Sequence, residues 1–250
     1  MLIHELEQQG GWLFRHRSYI PLALLPFALL VLASHREPWT DVLWLERGYE
    51  LGCLLISLCG LMVRGMALGY AQPGSSGRNT KEQIADHLNI TGLYSVCRHP
   101  LYVGNILMML GVLLFTKSAL LALAGFFGYI LFYERIIAAE ERFLADKFGA
   151  VFQEWAVRTP ALFPRSRQWL KPSYSFKWRA AVKGEFYGFT ALVSSLFALR
   201  SLDIRFIEGA WRLDMFWFWP FAASLLLFVI LRFLRKHTTL FEEPRAPEDM

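Results

Sequence analysis

Six apolar runs stand out along the chain, at residues 19–33, 51–71, 101–115, 119–133, 186–199 and 215–233. Each has the length and continuity of a buried or membrane-spanning helix and lacks the alternation of a half-buried strand. The third and fourth are separated only by Thr116-Lys117-Ser118, which predicts a tight helical hairpin. Flanking Tyr and Trp residues extend the shorter runs into the interface. Pro21 and Pro26 fall inside the first run, where neighbouring helices can satisfy the freed backbone groups. The pattern predicts an all-α, polytopic integral membrane protein with about six transmembrane helices. Two long polar segments, 72–100 and 135–183, bracket the hairpin and carry most of the polar chemistry, which places a pocket at the cytosolic membrane surface.

Composition agrees with the pattern. Of 250 residues, 55% are hydrophobic and only 19% charged, too apolar a balance for a soluble domain. There is room for one catalytic unit: N-terminal transmembrane helices over 1–71, a core over 72–165, and a C-terminal extension with two helices over 166–250. The net charge of +5 raises the question of nucleic acid, but the basic residues cluster beside apolar runs and so report topology. With the N-terminus in the cytosol, 19 of the 26 Lys and Arg lie inside and only Arg36, Arg47, Lys117, Arg200, Arg205 and Arg212 outside. Both termini are therefore expected to be cytosolic, in a bacterial inner membrane. The start of the chain lacks a short basic region leading to a small-residue cleavage site, so the first apolar run reads as a retained helix. Arg64, near the cytosolic end of the second run, either snorkels to the interface or lines a polar cavity. Cys53, Cys59 and Cys97 are too few and too scattered for a disulfide framework or a zinc site, and no metal is expected. No internal repeat of the kind that marks inverted transporter halves is visible.

Two features carry chemistry. Arg98-His99-Pro100-Leu101-Tyr102-Val103-Gly104-Asn105 stands where the third run begins; Pro100 suits a first helical position, and His99 then caps the helix beside backbone donors that suit an anion. A plain helix start with an interfacial Arg and Tyr has the same pattern. The second feature is the stretch from Tyr133 to Gly149. At about 100° per residue, Phe132, Tyr133, Ile136, Ile137, Phe143, Leu144 and Phe148 form one apolar arc. Glu140 falls near its middle, Glu141 at its edge toward solvent, and Arg135 and Arg142 on the opposite face. A carboxylate set among apolar side chains needs a partner, because desolvating it alone is costly.

These residues resemble the isoprenylcysteine carboxyl methyltransferase and phospholipid methyltransferase family, over about residues 79–164. The resemblance rests on Gly92-Leu93-Tyr94, on the RHPxYxG element at 98–104, on Glu140-Glu141 with the later Phe148-Gly149, and on a closing Thr159-Pro160-Ala161-Leu162-Phe163-Pro164. It implies an S-adenosylmethionine-dependent transfer to a lipid or isoprenoid-type membrane acceptor. It further implies that His99, Pro100, Leu101, Tyr102 and Glu140 bind the cofactor, with Leu88, Asn89, Ile90 and Tyr94 under its adenosine. On that reading Glu140 holds the cationic cofactor by charge, while Arg98 and the helix N-terminus hold its methionine carboxylate. Methyl transfer from a sulfonium needs alignment, desolvation and a nucleophile, with no metal. The prenylcysteine enzymes have a substrate-associated arginine one turn before the paired acids; here that position is Ile136, which favours a different acceptor.

The rival readings are an NADPH-dependent membrane reductase of the sterol type and a non-enzymatic scaffold or transport protein. The reductase needs a basic cluster for a 2′-phosphate, and within the 72–100 loop only Arg78 and Lys81 precede Arg98.

Overall fold

The computed structural model describes residues 2–72 and 85–241, with the side chains of 2–4 left aside. Arg78 and Lys81, on which the reductase reading turns, lie outside the described residues. All regular structure among the described residues is helical: α1 (Leu2–His16), α2 (Leu25–Ser34), α3 (Leu43–Gly69), α4 (Leu93–Val96), α5 (Pro100–Phe115), α6 (Ala119–Phe148), α7 (Ala150–Arg158), α8 (Trp178–Glu208) and α9 (Met215–His237).

The six apolar runs all fall on these helices, but they do not make six equal spans. Three helices, α3, α6 and α9, are long and apolar enough to cross a membrane, and a bent pair makes a fourth candidate. That pair joins α1 to the first apolar run at 89°. Pro21 and Pro26 each sit in the first turn of a new helical segment, so the prolines begin helices here and do not kink one. The 16 residues of α5 reach about 24 Å, short of a hydrocarbon core of about 30 Å. The 31-residue α8 has the length, but charged and hydroxyl residues dilute its apolar run.

The centre of the bundle is the contact of α3 with α5. Gly60 lies directly against the backbone of Gly104, and Gly111 against the Ser57 side chain, so a Cβ at either position would collide. Small residues let the two backbones approach, and Ser57 Oγ then donates across to the Met108 carbonyl at 2.9 Å. α6 returns antiparallel from the hairpin and receives α1, where Gly10 sits on the Arg135 carbonyl. Phe14 joins Tyr102, Ile106, Tyr129, Phe132, Tyr133, Ile136 and Ile137 in one apolar cluster. Most of α9 is exposed, and it leans on α8 through stacked Phe197 and Phe221 rings 4.5 Å apart.

Charges assigned to external loops by the sequence pattern are in fact buried together at one end of the bundle. Lys117 bonds Glu46 at 2.8 Å and Asp203 at 2.9 Å, with only 3% of its side chain exposed. Arg200 reaches Glu46 at 2.8 Å and Asp214 at 2.9 Å. Arg47 bridges Glu50 at 2.8 Å and Asp214 at 2.6 Å, His35 meets Asp203 at 2.8 Å, and the Trp217 indole donates to Glu50 at 2.7 Å. The positive φ of 61° at Lys117 turns the hairpin tip so that its side chain enters this network. The network joins α2, α3, the hairpin, α8 and α9 in one place.

Candidate functional site

The site forms at the other end of α5, where the chain from Gly92 enters the helix. Gly92 takes a φ of 62°, open to glycine, and the segment from it runs back alongside the closing stretch. Arg98 N–H donates to the Pro160 carbonyl at 2.8 Å, His99 N–H to Ala161 at 3.1 Å, and Gly92 N–H to Leu170 at 3.0 Å. The Cys97 thiol is buried against the Ala161 and Leu162 carbonyls, and burial pushes its pKa up to about 11. Residues 98–104 and 159–164, far apart in sequence, thus form one brace around the start of α5.

Against this brace stands the third turn from the end of α6. Tyr102 O–H donates to Glu140 Oε2 at 2.8 Å, and His99 Nδ1 lies 3.4 Å from the same oxygen. The other ring nitrogen, Nε2, faces Glu141 Oε1 at 3.0 Å, where Arg98 Nε also donates at 2.7 Å. One imidazole is therefore clasped between two carboxylates. Burial alone would push the His99 pKa down, but the hydrogen bonds and charges of Glu140 and Glu141 outweigh it and raise it. Tyr102 stacks on His99 at 5.6 Å and on Tyr133 at 4.6 Å.

A raised folded-state value means that the fold favours the imidazolium. Its stabilising contribution is complete below the ordinary histidine value of 6.5 and is lost as pH rises through the higher value in the folded protein. Thermal unfolding of the cofactor-free protein is thus expected to shift to lower temperature as pH rises above that range, and His99→Gln should flatten this limb. An unchanged slope in the variant would show that His99 is not the group responsible.

The sequence-predicted residues fall into three groups. Glu140, His99, Pro100 and Tyr102 come together as expected, with Leu101 following on the first turn of α5. Tyr94 is close enough for Glu140 to act on it by charge. Leu88 packs with Ala85, Leu144 and Phe152 beside the end of α6, Asn89 Oδ1 accepts from Gln72 N–H at 3.2 Å, and Ile90 is 40% exposed. Among the described residues, no hydrogen bond joins these three to the polar centre of the site.

Two expectations need correction. Glu141 is not a solvent-facing edge residue: it carries Arg98 and His99, which come from a loop that the helical angle of α6 does not reveal. Arg98, expected to face a cofactor carboxylate, is turned inward, and besides Glu141 it donates to the Ala156 and Thr159 carbonyls, so it fastens the closing segment. Tyr102 lies in an apolar seam with 7% exposure. Ile136 is fully buried, and Arg135 points away to Gln9, so neither presents a cation to the site. Arg17, counted in the sequence only as a topology signal, lies over the Phe14 ring at 4.0 Å, and Phe14 packs in the same cluster as Tyr102 and Tyr133.

The phospholipid methyltransferase family profile matches residues 49–151, the stretch that holds most of α3, the 98–104 half of the brace and both acids. The cobalt-zinc-cadmium resistance protein CzcN of Cupriavidus metallidurans is 33% identical over 192 residues, covering 74% of this chain and 83% of that protein. The nickel-cobalt-cadmium resistance protein NccN of Alcaligenes xylosoxydans is 31% identical over 155 residues, 62% of this chain and 68% of the relative. The protein-S-isoprenylcysteine O-methyltransferase of Schizosaccharomyces pombe is 28% identical over 119 residues, 46% of this chain and 50% of the yeast protein. No solved structure matches the chain. With membrane-length apolar helices, a paired-acid site inside the matched stretch and these relatives, the chain belongs to the phospholipid methyltransferase and isoprenylcysteine methyltransferase family of membrane proteins.

Proposed function

We propose that the chain transfers a methyl group from S-adenosylmethionine to a lipid or isoprenoid-type acceptor at the cytosolic face of a bacterial inner membrane. The observation that carries this reading is the setting of Glu140. Its carboxylate is 15% exposed and is oriented by the Tyr102 hydroxyl and by His99. An oriented, largely desolvated carboxylate suits a compact organic cation such as a sulfonium, through charge.

When bound, the cofactor supplies an electrophilic methyl on sulfur. The chain's own residues bind and align. Glu140 holds the positive sulfur side; His99 fixes Glu140 and Glu141 relative to each other; Tyr94 and the 88–90 stretch offer a border for the adenosine. Arg98 with Glu141 keeps the closing segment over the site and excludes water, which preserves the strength of the charge contacts. Alignment of an in-line displacement is the main catalytic contribution. Arg17 meets an acceptor of negative charge, in place of the arginine that Ile136 does not provide. The resistance functions in the names of the two bacterial relatives are compatible with a lipid-modifying enzyme whose acceptor is an acid, since methylating a carboxylate or phosphate oxygen removes a negative charge that metal cations meet at the membrane surface.

Both termini and the site are assigned to the cytosol. Labelled S-adenosylmethionine added to inside-out vesicles that contain the protein should transfer label to the lipid fraction, and right-side-out vesicles should give none. Label confined to right-side-out vesicles would reverse the topology, and no label in either would refute the lipid acceptor.

A further inference from the structure

A second polar chain runs from the site into the middle of the bundle and ends on α8, beyond the stretch that the family profile matches. Arg64 of α3 grips Glu185 of α8 with a two-pronged contact, Nε to Oε2 at 2.9 Å and Nη2 to Oε1 at 2.8 Å. Its remaining terminal nitrogen, Nη1, donates to Asn105 Oδ1 on α5. The amide of Asn105 is thereby oriented, and its Nδ2 donates to the Tyr133 hydroxyl at 2.9 Å. Tyr133 stacks on Tyr102, and Tyr102 donates to Glu140. The Arg64 and Glu185 side chains are 17% and 8% exposed, so Arg64 does not snorkel. Gly104 gives the arginine stem its passage, because a Cβ there would strike it.

An ion pair is an expensive way to hold α3 to α8. Desolvation offsets most of its attraction, and an apolar pair of similar volume would bind the helices as well. A fork of fixed donors offers geometry that an apolar pair lacks. It sets the Asn105 amide, the amide sets the Tyr133 ring, and that ring supports the tyrosine that orients Glu140.

We infer that Glu185 is a positioning residue for the cofactor site, acting through Arg64, Asn105 and Tyr133, and that the C-terminal extension is thereby part of the methyltransferase machinery. The inference rests on the reading of Glu140 as the cofactor carboxylate. If it holds, loss of the far end of the chain weakens cofactor binding although Glu185 touches no cofactor.

Calorimetry with S-adenosylmethionine on purified full-length protein tests this, with thermal unfolding of each variant measured first. Glu185→Gln keeps the shape and removes the charge; Tyr133→Phe removes only the hydroxyl that accepts from Asn105. Each is expected to weaken affinity about threefold to tenfold, and the double variant should be no weaker than the worse single one, because both break one chain. Glu185→Asp, which retains the charge, should recover part of the loss. A merely structural pair would lower the unfolding temperature in Glu185→Gln while leaving affinity at the wild-type value. Wild-type binding with unchanged affinity in the variants, or single effects that multiply in the double variant, would overturn the inference alone. Failure of the wild type to bind would overturn the reading of the site and the inference with it.

Discussion

Replacing Arg200 by methionine should lower the thermal unfolding temperature more than any single change at the cofactor site. The guanidinium touches Glu46, Glu50, Asp203 and Asp214, four acids drawn from α3, α8 and the start of α9. Glu50 is fully buried and Asp203 is 3% exposed, so neither can recover its lost partner from water. Removing one member of a buried ion network leaves uncompensated charge and costs about 3–5 kcal/mol. With Arg200 gone, Arg47 and Lys117 face four acids. Lysine at the same position keeps the charge but not the fork, and should lose less. The measurement is unfolding in detergent micelles, with S-adenosylmethionine affinity alongside it. Affinity should hardly change in the folded variant, because the network lies at the Lys117 end of α5, about 24 Å along the helix from His99. A variant as stable as wild type would show that the network is not what joins the C-terminal helices to the bundle.

The second large effect separates the two acids. Glu140→Gln keeps the hydrogen-bonding shape that Tyr102 meets and removes the charge, and should weaken S-adenosylmethionine binding about ten- to a hundredfold, the loss of a charge-assisted contact of about 1.5–3 kcal/mol. Glu141→Gln should act differently. It leaves Arg98 and His99 without their shared carboxylate and loosens the closing segment, so its main effect is a lower unfolding temperature, with a smaller loss of affinity. Calorimetry and thermal unfolding on both variants distinguish the patterns. Should Glu141→Gln be the more damaging to affinity at unchanged stability, the cofactor carboxylate is Glu141.

Much of this arrangement is legible in the sequence, for reasons that also explain the rest. Six apolar runs give six helical elements, because apolar length and periodicity are local properties of the chain. Glu140 is legible because the same periodicity places it within the apolar arc of α6. Glu141 is not, because a helical angle says where a side chain points and nothing about what another element brings there. Arg98 and His99 arrive from a loop 42–43 residues away. The same limit hides the Arg200 network, whose partners Glu46 and Arg200 are 154 residues apart and whose members read one by one as external loop charges. Arg64 and Glu185 pair only because Gly104 lets the stem pass. The division into spans is least legible where the chain departs from ideal lengths: α5 is short, α8 carries charge, and the first run is bent against α1. Arg17 lies over Phe14, beside the aromatic cluster of the site, because α1 packs along α6, and a polar N-terminal segment gives little sign of that packing.

Titration of the purified wild-type protein with S-adenosylmethionine and, separately, with NADPH asks directly whether the His99–Glu140 pocket receives a sulfonium cofactor. Saturable binding of S-adenosylmethionine at one site per chain, weakened in Glu140→Gln, is expected, with no binding of NADPH. Saturable binding of NADPH with none of S-adenosylmethionine, or binding of neither, would contradict a sulfonium site.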